Sequence, residues 1–525
     1  MTRKNITLLD STLRDGAQGE GVSFSIADKT AIVREIDSLG IKYIEAGAPF
    51  SNPKDREFFA KAENIGLKNS QLVAFGSTRH KDCEAENDEG LSALLAAGTK
   101  TVSIFGKCSR LHIEKIIETS PAENAAMIED SCRFLANAGR EVFFDAEHFF
   151  DGYRADPELA AEMLRAAVRG GASMLVLCDT NGGAFPDEIS RTVSDICALF
   201  PDIPIGVHCH NDCGMATASS IYAVAAGASH IQGTLLGIGE RCGNADLSQI
   251  IPNMQLKRGY DLLPDGCGDF VKTVRRIAEI ANVSISRRRP YIGHSAFAHK
   301  AGMHADAVLK EPSSFEHIPP EAVGAERRIL VSEISGRSAV SSRLGGLLPA
   351  GDDDSARKIT ETIKQLELEG YQFEGADASF ELLAKKCVGS YTPHFKLVSY
   401  RIISERPHAP DCAAAAMVKI RVGDGEVLRS AEGNGPVNAL DKALRLALSV
   451  FYPSLSKTRL TDYKVRVMDS KAATASQVRV IITSSDGERE WSTVGVSGDI
   501  IEASFAALCD SIEYCLEKEA APSEK

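Results

Sequence analysis

Ile6-Thr-Leu-Leu-Asp-Ser-Thr-Leu-Arg-Asp-Gly16 begins as a short apolar, strand-favouring run and ends in a cluster of ionisable groups. The same two-part unit recurs through the first half of the chain. Its apolar parts fall at residues 6–9, 43–44, 72–75, 101–105, 141–144, 174–177, 205–207 and 230–231. Between them lie segments of helical period. Residues 26–39 carry apolar Ile26, Val33, Ile36 and Leu39, with Ser25 and Asp28 as a capping box before them and Gly40 to close them. Strands alternating with helices imply parallel pairing. Eight such units in about 240 residues fit the size of a (β/α)8 TIM barrel better than a doubly wound open sheet.

The polar halves of these units occupy residues 10–15, 45–49, 76–79, 106–107, 145–148, 179–183, 208–212 and 233–241. In a (β/α)8 barrel the catalytic groups sit at the C-terminal ends of the strands. Carboxylates, arginines and histidines gathered repeatedly at one rim mark it as a site, since a purely structural barrel has no use for them there.

The chain has 525 residues, more than one hydrophobic core of roughly 250 to 300 residues supports, so further domains are expected. Helical segments follow residue 253, notably 270–281, and then the loop Gly293-His-Ser-Ala-Phe-Ala-His-Lys-Ala-Gly-Met-His-Ala-Asp306. A Gly- and Asp-rich linker is read at 345–355 and a helical block at 356–387. From Lys396 alternating strands return, as at 416–422 and 477–482. This last region reads as a duplication. Strand pairs lead to Gly433-Asn-Gly-Pro436 before a helix at 437–448, and again to Gly495-Val-Ser-Gly498 before a helix at 499–516. The expected division is a barrel at 1–270, helical linker subdomains at 271–390 and an α+β domain at 391–525.

A hydrophobic fraction of 44% and a charged fraction of 25% are those of an ordinary soluble protein. The N-terminal segment has no apolar core of an export signal, and no apolar run nears the roughly 18 residues of a membrane span. A cytoplasmic protein is expected. Its 13 scattered cysteines read as free thiols, with Cys213 and Cys242 as packing residues. A net charge of -13 argues against nucleic acid and acidic membranes as partners. An anionic substrate then needs a bound metal or a few well-placed arginines.

His208-Cys-His210 ends the seventh strand, and residues two apart on a strand share a face, so both imidazoles can meet one metal. Alone, such a pair reads equally as two polar residues at a strand end. Asp15 at the end of strand one and Asn244 after strand eight are its neighbours in a closed barrel. Mixed nitrogen and oxygen donors suit a divalent ion such as Mn, Mg or Zn, unlike a closed thiolate site. Arg14 beside Asp15 suits a substrate carboxylate, and Thr180 offers a hydroxyl at the sixth strand end. Glu147 at the fifth strand end reads as a salt-bridge partner or a proton-transfer group.

Leu9-Asp-Ser-Thr-Leu-Arg-Asp-Gly16, His208-Cys-His-Asn-Asp212 and Gly237-Ile-Gly-Glu-Arg-Cys-Gly-Asn244 resemble the metal-dependent TIM-barrel Claisen enzymes of the 2-isopropylmalate and homocitrate synthase family. Phe143-Phe-Asp-Ala-Glu-His-Phe-Phe-Asp-Gly152, Leu177-Cys-Asp-Thr-Asn-Gly-Gly183 and Arg328-Ile-Leu-Val-Ser-Glu-Ile-Ser-Gly-Arg337 are similar to the branch that condenses acetyl-CoA with pyruvate. The resemblance implies Asp15, His208 and His210 as ligands, with Asn244 a fourth or outer one. It implies Arg14 and Thr180 as holding the 2-oxo acid, with His112 as a further contact. Glu147 and His304 would act on the acetyl methyl, with Asp306 orienting His304. The family's usual tyrosine after that loop is replaced at the aligned position by Phe315, and the segment before His112 lacks the usual Ser-Trp-Asp. The tail resembles the family's regulatory domain, which implies a homodimer and feedback by isoleucine, with Gly433, Gly435, Gly495 and Gly498 offering backbone N–H groups to the effector's carboxylate. A bulkier 2-oxo acid, an acyl-CoA lyase on the same barrel and a non-catalytic amino-acid sensor are the rival readings.

Overall fold

A computed structural model describes residues 6–300, 302–330, 353–409, 412–468, 476–487 and 489–520. They fall into two compact units, Met1–Phe297 with His317–Glu326, and Ala298–Glu316 with Arg327–Lys525.

The first unit is the expected barrel. Its strands are β1 (Thr7–Asp10), β2 (Tyr43–Gly47), β3 (Gln71–Ser77), β4 (Thr101–Lys107), β5 (Glu141–Glu147), β6 (Met174–Asp179), β7 (Ile205–Cys209) and β8 (His230–Gly233), paired in sequence order into a closed barrel. β1 closes on β8 in parallel, with Thr7 opposite His230 and Asp10 opposite Gly233. Leu9, Tyr43, Val73, Phe143, Met174, Val176 and Cys178 fill the interior. The outer core lies between strands and helices. Helix Ile26–Leu39 forms there with the Ser25/Asp28 capping box and a left-handed Gly40 at φ 81°. A Cβ at Gly40 would lie 2.5 Å from Pro264, so turn and packing both require glycine. Helix Phe270–Ile280 belongs with the barrel, because Phe270, Val274 and Ile277 are buried in the same core.

Most strands run further into the rim than their apolar runs suggest. β5 continues to Glu147 because Asp145 is buried in the barrel and hydrogen bonded there, so a polar residue does not end the strand.

In the second unit the block read at 356–387 is two helices, Asp353–Leu368 and Asp377–Val388, separated by a turn with left-handed Gly370 and Gly375. The duplication is present and each copy is one strand richer than a pair. Lys396–Ala409, Cys412–Val422 and Gly425–Gly433 form an antiparallel sheet carrying helix Pro436–Leu448. Arg459–Val467, Val478–Ser485 and Glu490–Ser497 repeat it with helix Ile500–Ala520. In the first copy Leu440, Ala443 and Leu444 of the helix join Val418 and Ile420 of the sheet in one core. Residues 345–352 of the expected linker, and 331–337 of the stretch that began at Arg328, lie outside the described residues. The twelve cysteines whose side chains are described are free thiols. No described helix is long and apolar enough to cross a membrane.

Candidate metal centre

The end of β1 is pinned before it delivers Asp15. The buried Asp10 carboxylate accepts the Thr12 N–H and hydroxyl, both at 3.0 Å, and the Leu235 N–H at 3.2 Å. Burial pushes the Asp10 carboxyl up to about 6, against the pull of these donors. The Ser11 N–H donates to the Gly233 carbonyl at 2.8 Å, and the Asp15 N–H to Ser11 Oγ at 3.2 Å. The loop is thereby folded across the β1/β8 junction.

Asp15 meets the two histidines there. Its Oδ2 lies 3.4 Å from Nε2 of His208 and 3.9 Å from Nε2 of His210. The three residues are buried, and one donor atom from each lies within 4.8 Å of the others. Asn244 faces them through a bridge pairing it with His210. Asn244 Nδ2 donates to Asp15 Oδ1 at 2.9 Å and to the Ile238 carbonyl at 3.1 Å, while its Oδ1 is buried without a hydrogen-bond partner. An orphaned amide oxygen beside two imidazoles and a carboxylate is a donor set that fits a divalent cation.

The local charges keep Asp15 and His210 in ligating form, while Asp15 favours the proton on His208 that a bound metal would displace. Burial opposes ionisation of Asp15, but Arg14 and the two histidines outweigh it and hold the carboxyl well below the usual range. Burial, then the charge of His208, pushes His210 down to about 4 and leaves its ring neutral. Burial lowers His208 as well, yet its bond to Asp15 raises it on balance. Cys209, between the histidines, is buried in the outer core, whereas Cys213 and Cys242, expected to be packing residues, are exposed.

Arg14 lies against the centre. Its Nε donates to Glu45 Oε2 at 2.6 Å and its Nη1 to Asp15 Oδ2 at 3.0 Å, and the guanidinium stacks over Phe75 at 3.7 Å. Glu45, fully buried, also accepts the Ser11 hydroxyl at 2.5 Å, and its Oε1 has no partner. Only its place in the rim stretch 45–49 signals it in the sequence. Thr180 Oγ1 accepts the His148 N–H at 2.8 Å, which leaves the hydroxyl proton available to a ligand. Glu147 is ion paired with Lys107. His112 stacks on His148 with centroids 3.6 Å apart, and both Nδ1 atoms are buried without partners. Burial and then His112 push His148 down to about 4.

His304 and Asp306 belong to the second unit, on helix Gly302–Lys310. His304 is exposed and stacks on Phe315 at 4.2 Å, and Asp306 pairs with Lys310 at 2.6 Å. The four glycines of the tail differ. A Cβ at Gly495 would lie 2.0 Å from the Ala503 carbonyl and one at Gly433 2.6 Å from the Ala439 nitrogen, so both permit close strand–helix packing. Gly435, the N-cap of helix Pro436–Leu448, and Gly498 have open space.

Fold and rim define a parallel (β/α)8 barrel with a buried site of two histidines and a carboxylate, shaped for one divalent ion. The chain belongs to the HMGL-like family, whose profile matches residues 5–283, in company with the (R)-citramalate synthases. Residues 291–370 match a homocitrate synthase post-HMGL domain-like profile and 374–516 the LeuA allosteric (dimerisation) domain. An (R)-citramalate synthase of Aquifex aeolicus is 46% identical over 520 residues, 98% of either chain. One from Synechocystis sp. is 46% identical over 98% of this chain and 96% of its own. A probable 2-isopropylmalate synthase of Methanosarcina acetivorans is 30% identical over 99% and 97%. Enzymes of the family are metal-dependent, and Asp15, His208 and His210 are this chain's candidate ligands.

Proposed function

We propose that this chain is an (R)-citramalate synthase, condensing acetyl-CoA with pyruvate and hydrolysing the thioester to citramalate and CoA. The observation that carries this reading is that five relatives of that name are 42 to 46% identical over nearly the whole chain. Asp15, His208 and His210, with Asn244 beside them, would hold a divalent ion, which when bound would supply Lewis-acid polarisation of the ketone. Arg14, steadied by Glu45 and Phe75, offers its guanidinium to the pyruvate carboxylate, and Thr180 donates its hydroxyl proton to the same substrate. Glu147 and His304, with Asp306, are assigned to proton transfer at the acetyl methyl. Loss of that proton lets the methyl carbon bond to the ketone carbon, whose oxygen becomes a hydroxyl. Water then takes the acyl group, and CoA leaves as the thiol.

The barrel is assigned to catalysis and residues 391–525 to regulation. Isoleucine is the assigned effector and a homodimer the assigned assembly, supported by the match to an allosteric dimerisation domain. The rate of CoA release with pyruvate against 2-oxoisovalerate tests the reaction. A kcat/KM at least about tenfold higher for pyruvate is expected, a size that a pocket fitted to one methyl can reach. Preference for the branched acid transfers the chain to the 2-isopropylmalate reaction.

A further inference from the structure

Behind His208 the barrel interior holds a chain of polar groups, Gln232, Asp145 and Ser103, to which the proposed reaction gives no role. His208 on β7 is hydrogen bonded through Nδ1 to Oε1 of Gln232 on β8, at 2.9 Å. Gln232 Nε2 donates to Oδ1 of Asp145 on β5 at 3.1 Å, and Asp145 Oδ2 accepts the hydroxyl of Ser103 on β4 at 2.9 Å. All four residues are buried, Ser103 and Gln232 completely.

The direction of this chain follows from its end. A carboxylate only accepts, so the nitrogen of Gln232 must face Asp145 and its oxygen must face His208. That oxygen has no proton to give, so Nδ1 of His208 must carry one. A proton on Asp145 keeps this order when it sits on Oδ2 and is accepted by Ser103, with Gln232 Nε2 placed on Oδ1 as the structure has it. The neutral ring is then confined to the tautomer with a bare Nε2, the atom that lies 3.4 Å from Asp15. We propose that Gln232 and Asp145 are positioning residues for the metal centre, fixing the tautomer and the ring plane of His208. The inference rests on the metal-centre reading of Asp15, His208 and His210. Outer partners of ligating histidines generally matter to affinity at about the 10- to 100-fold level.

The test is Mn2+ binding to full-length protein by isothermal titration, with circular dichroism and thermal melting as checks on the fold. Gln232→Leu removes the acceptor and should weaken Mn2+ binding about 10- to 100-fold. Gln232→Glu alone sets two carboxylates against each other and should also weaken it. Adding Asp145→Asn to Gln232→Glu restores the order of donors. The new amide at position 145 donates to the carboxylate at position 232, which still accepts the Nδ1 proton of His208. The amide oxygen takes the Ser103 proton, and most of the lost affinity should return. A role in packing alone predicts no such rescue. Unchanged affinity in a folded Gln232→Leu protein overturns the proposal, as does a double variant no better than Gln232→Glu. If Gln232→Leu does not fold, the comparison of Gln232→Glu with the double variant decides. Folded wild-type protein that takes up no Mn2+ rejects the metal reading itself, an outcome distinct from the others.

Discussion

Arg241 closes a fork on Asp212, with Nε 2.8 Å from Oδ1 and Nη2 2.9 Å from Oδ2, and the same Nη2 reaches the Thr180 carbonyl at 2.8 Å. One side chain thereby ties together the loops after β6, β7 and β8, which carry Thr180, His210 and Asn244. Arg241 holds a left-handed backbone at φ 54°, an unfavourable conformation for a residue with a Cβ. Lysine cannot make the fork. Arg241→Lys should lower kcat/KM by about tenfold or more, within the roughly hundredfold that a misplaced group costs, with little change in melting temperature. Steady-state kinetics with pyruvate check this, and an unaltered kcat/KM would mean the fork is ornamental.

Asp15→Ala and His210→Ala should each abolish measurable Mn2+ uptake, and chelation of the wild type should stop turnover, because each ligand lost leaves the ketone unpolarised. Full turnover by metal-stripped protein is the result that defeats the mechanism.

The tail glycines should separate into two groups. Gly495→Ala drives a methyl into the Ala503 carbonyl and should destabilise the second unit by about 1 to 3 kcal/mol, the usual cost of overpacking. Gly498→Ala meets open space and should stay within about 0.5 kcal/mol of the wild type. Denaturant titration distinguishes them, and equal effects would contradict the packing described.

Isoleucine should raise the melting temperature of the full-length protein and slow CoA release, since an effector must bind two states unequally. Removing residues after 390 should end that response. Indifference to isoleucine, leucine and valine would leave the tail as an assembly domain only.

Acid should destabilise the barrel through His230. This ring is fully buried at the closure of the barrel, bonded to Thr7 at 2.8 Å and edge-on to Tyr43 and Phe143. Burial, then Lys42, pushes it from 6.5 down to about 3. Between those values the unfolded chain binds the extra proton. Its contribution to stability is therefore complete above pH 6.5 and is lost as the pH falls toward 3, at up to about 1.4 kcal/mol per pH unit. His230→Gln should flatten this limb of the stability curve. Parallel curves for variant and wild type would remove His230 as the cause.

Local signals are legible in the sequence and distant ones are not. Helix Ile26–Leu39 is readable to the residue because its capping box and closing glycine are neighbours in the chain. The His208/His210 pair is readable because a strand repeats every two residues. The strand ends read short, since Asp145 and Asp179 look like loop residues until the barrel gives them partners. Gln232 lies 24 residues from His208 and 87 from Asp145, and Glu45 lies 31 from Arg14, so no local pattern marks Gln232 or shows which of the rim residues become partners. The sequence reading counts a pair of strands before each tail helix where the structure has three, and the uncounted Arg459–Val467 is largely exposed although Tyr463, Val465 and Val467 alternate with Lys464 and Arg466.

Asp15 follows the first strand of the barrel, and Asn244, which touches it, comes 229 residues later, beyond the last. The centre therefore straddles the seam where the first and last strands zip together. No shorter nascent chain contains it, and any fraying of β1 from β8 dismantles it. A metal ion that binds only the zipped form favours that form in proportion to its own free concentration. Loss of the ion and opening of the seam thus become two views of one equilibrium, and the cell's supply of metal sets how tightly the cylinder stays shut.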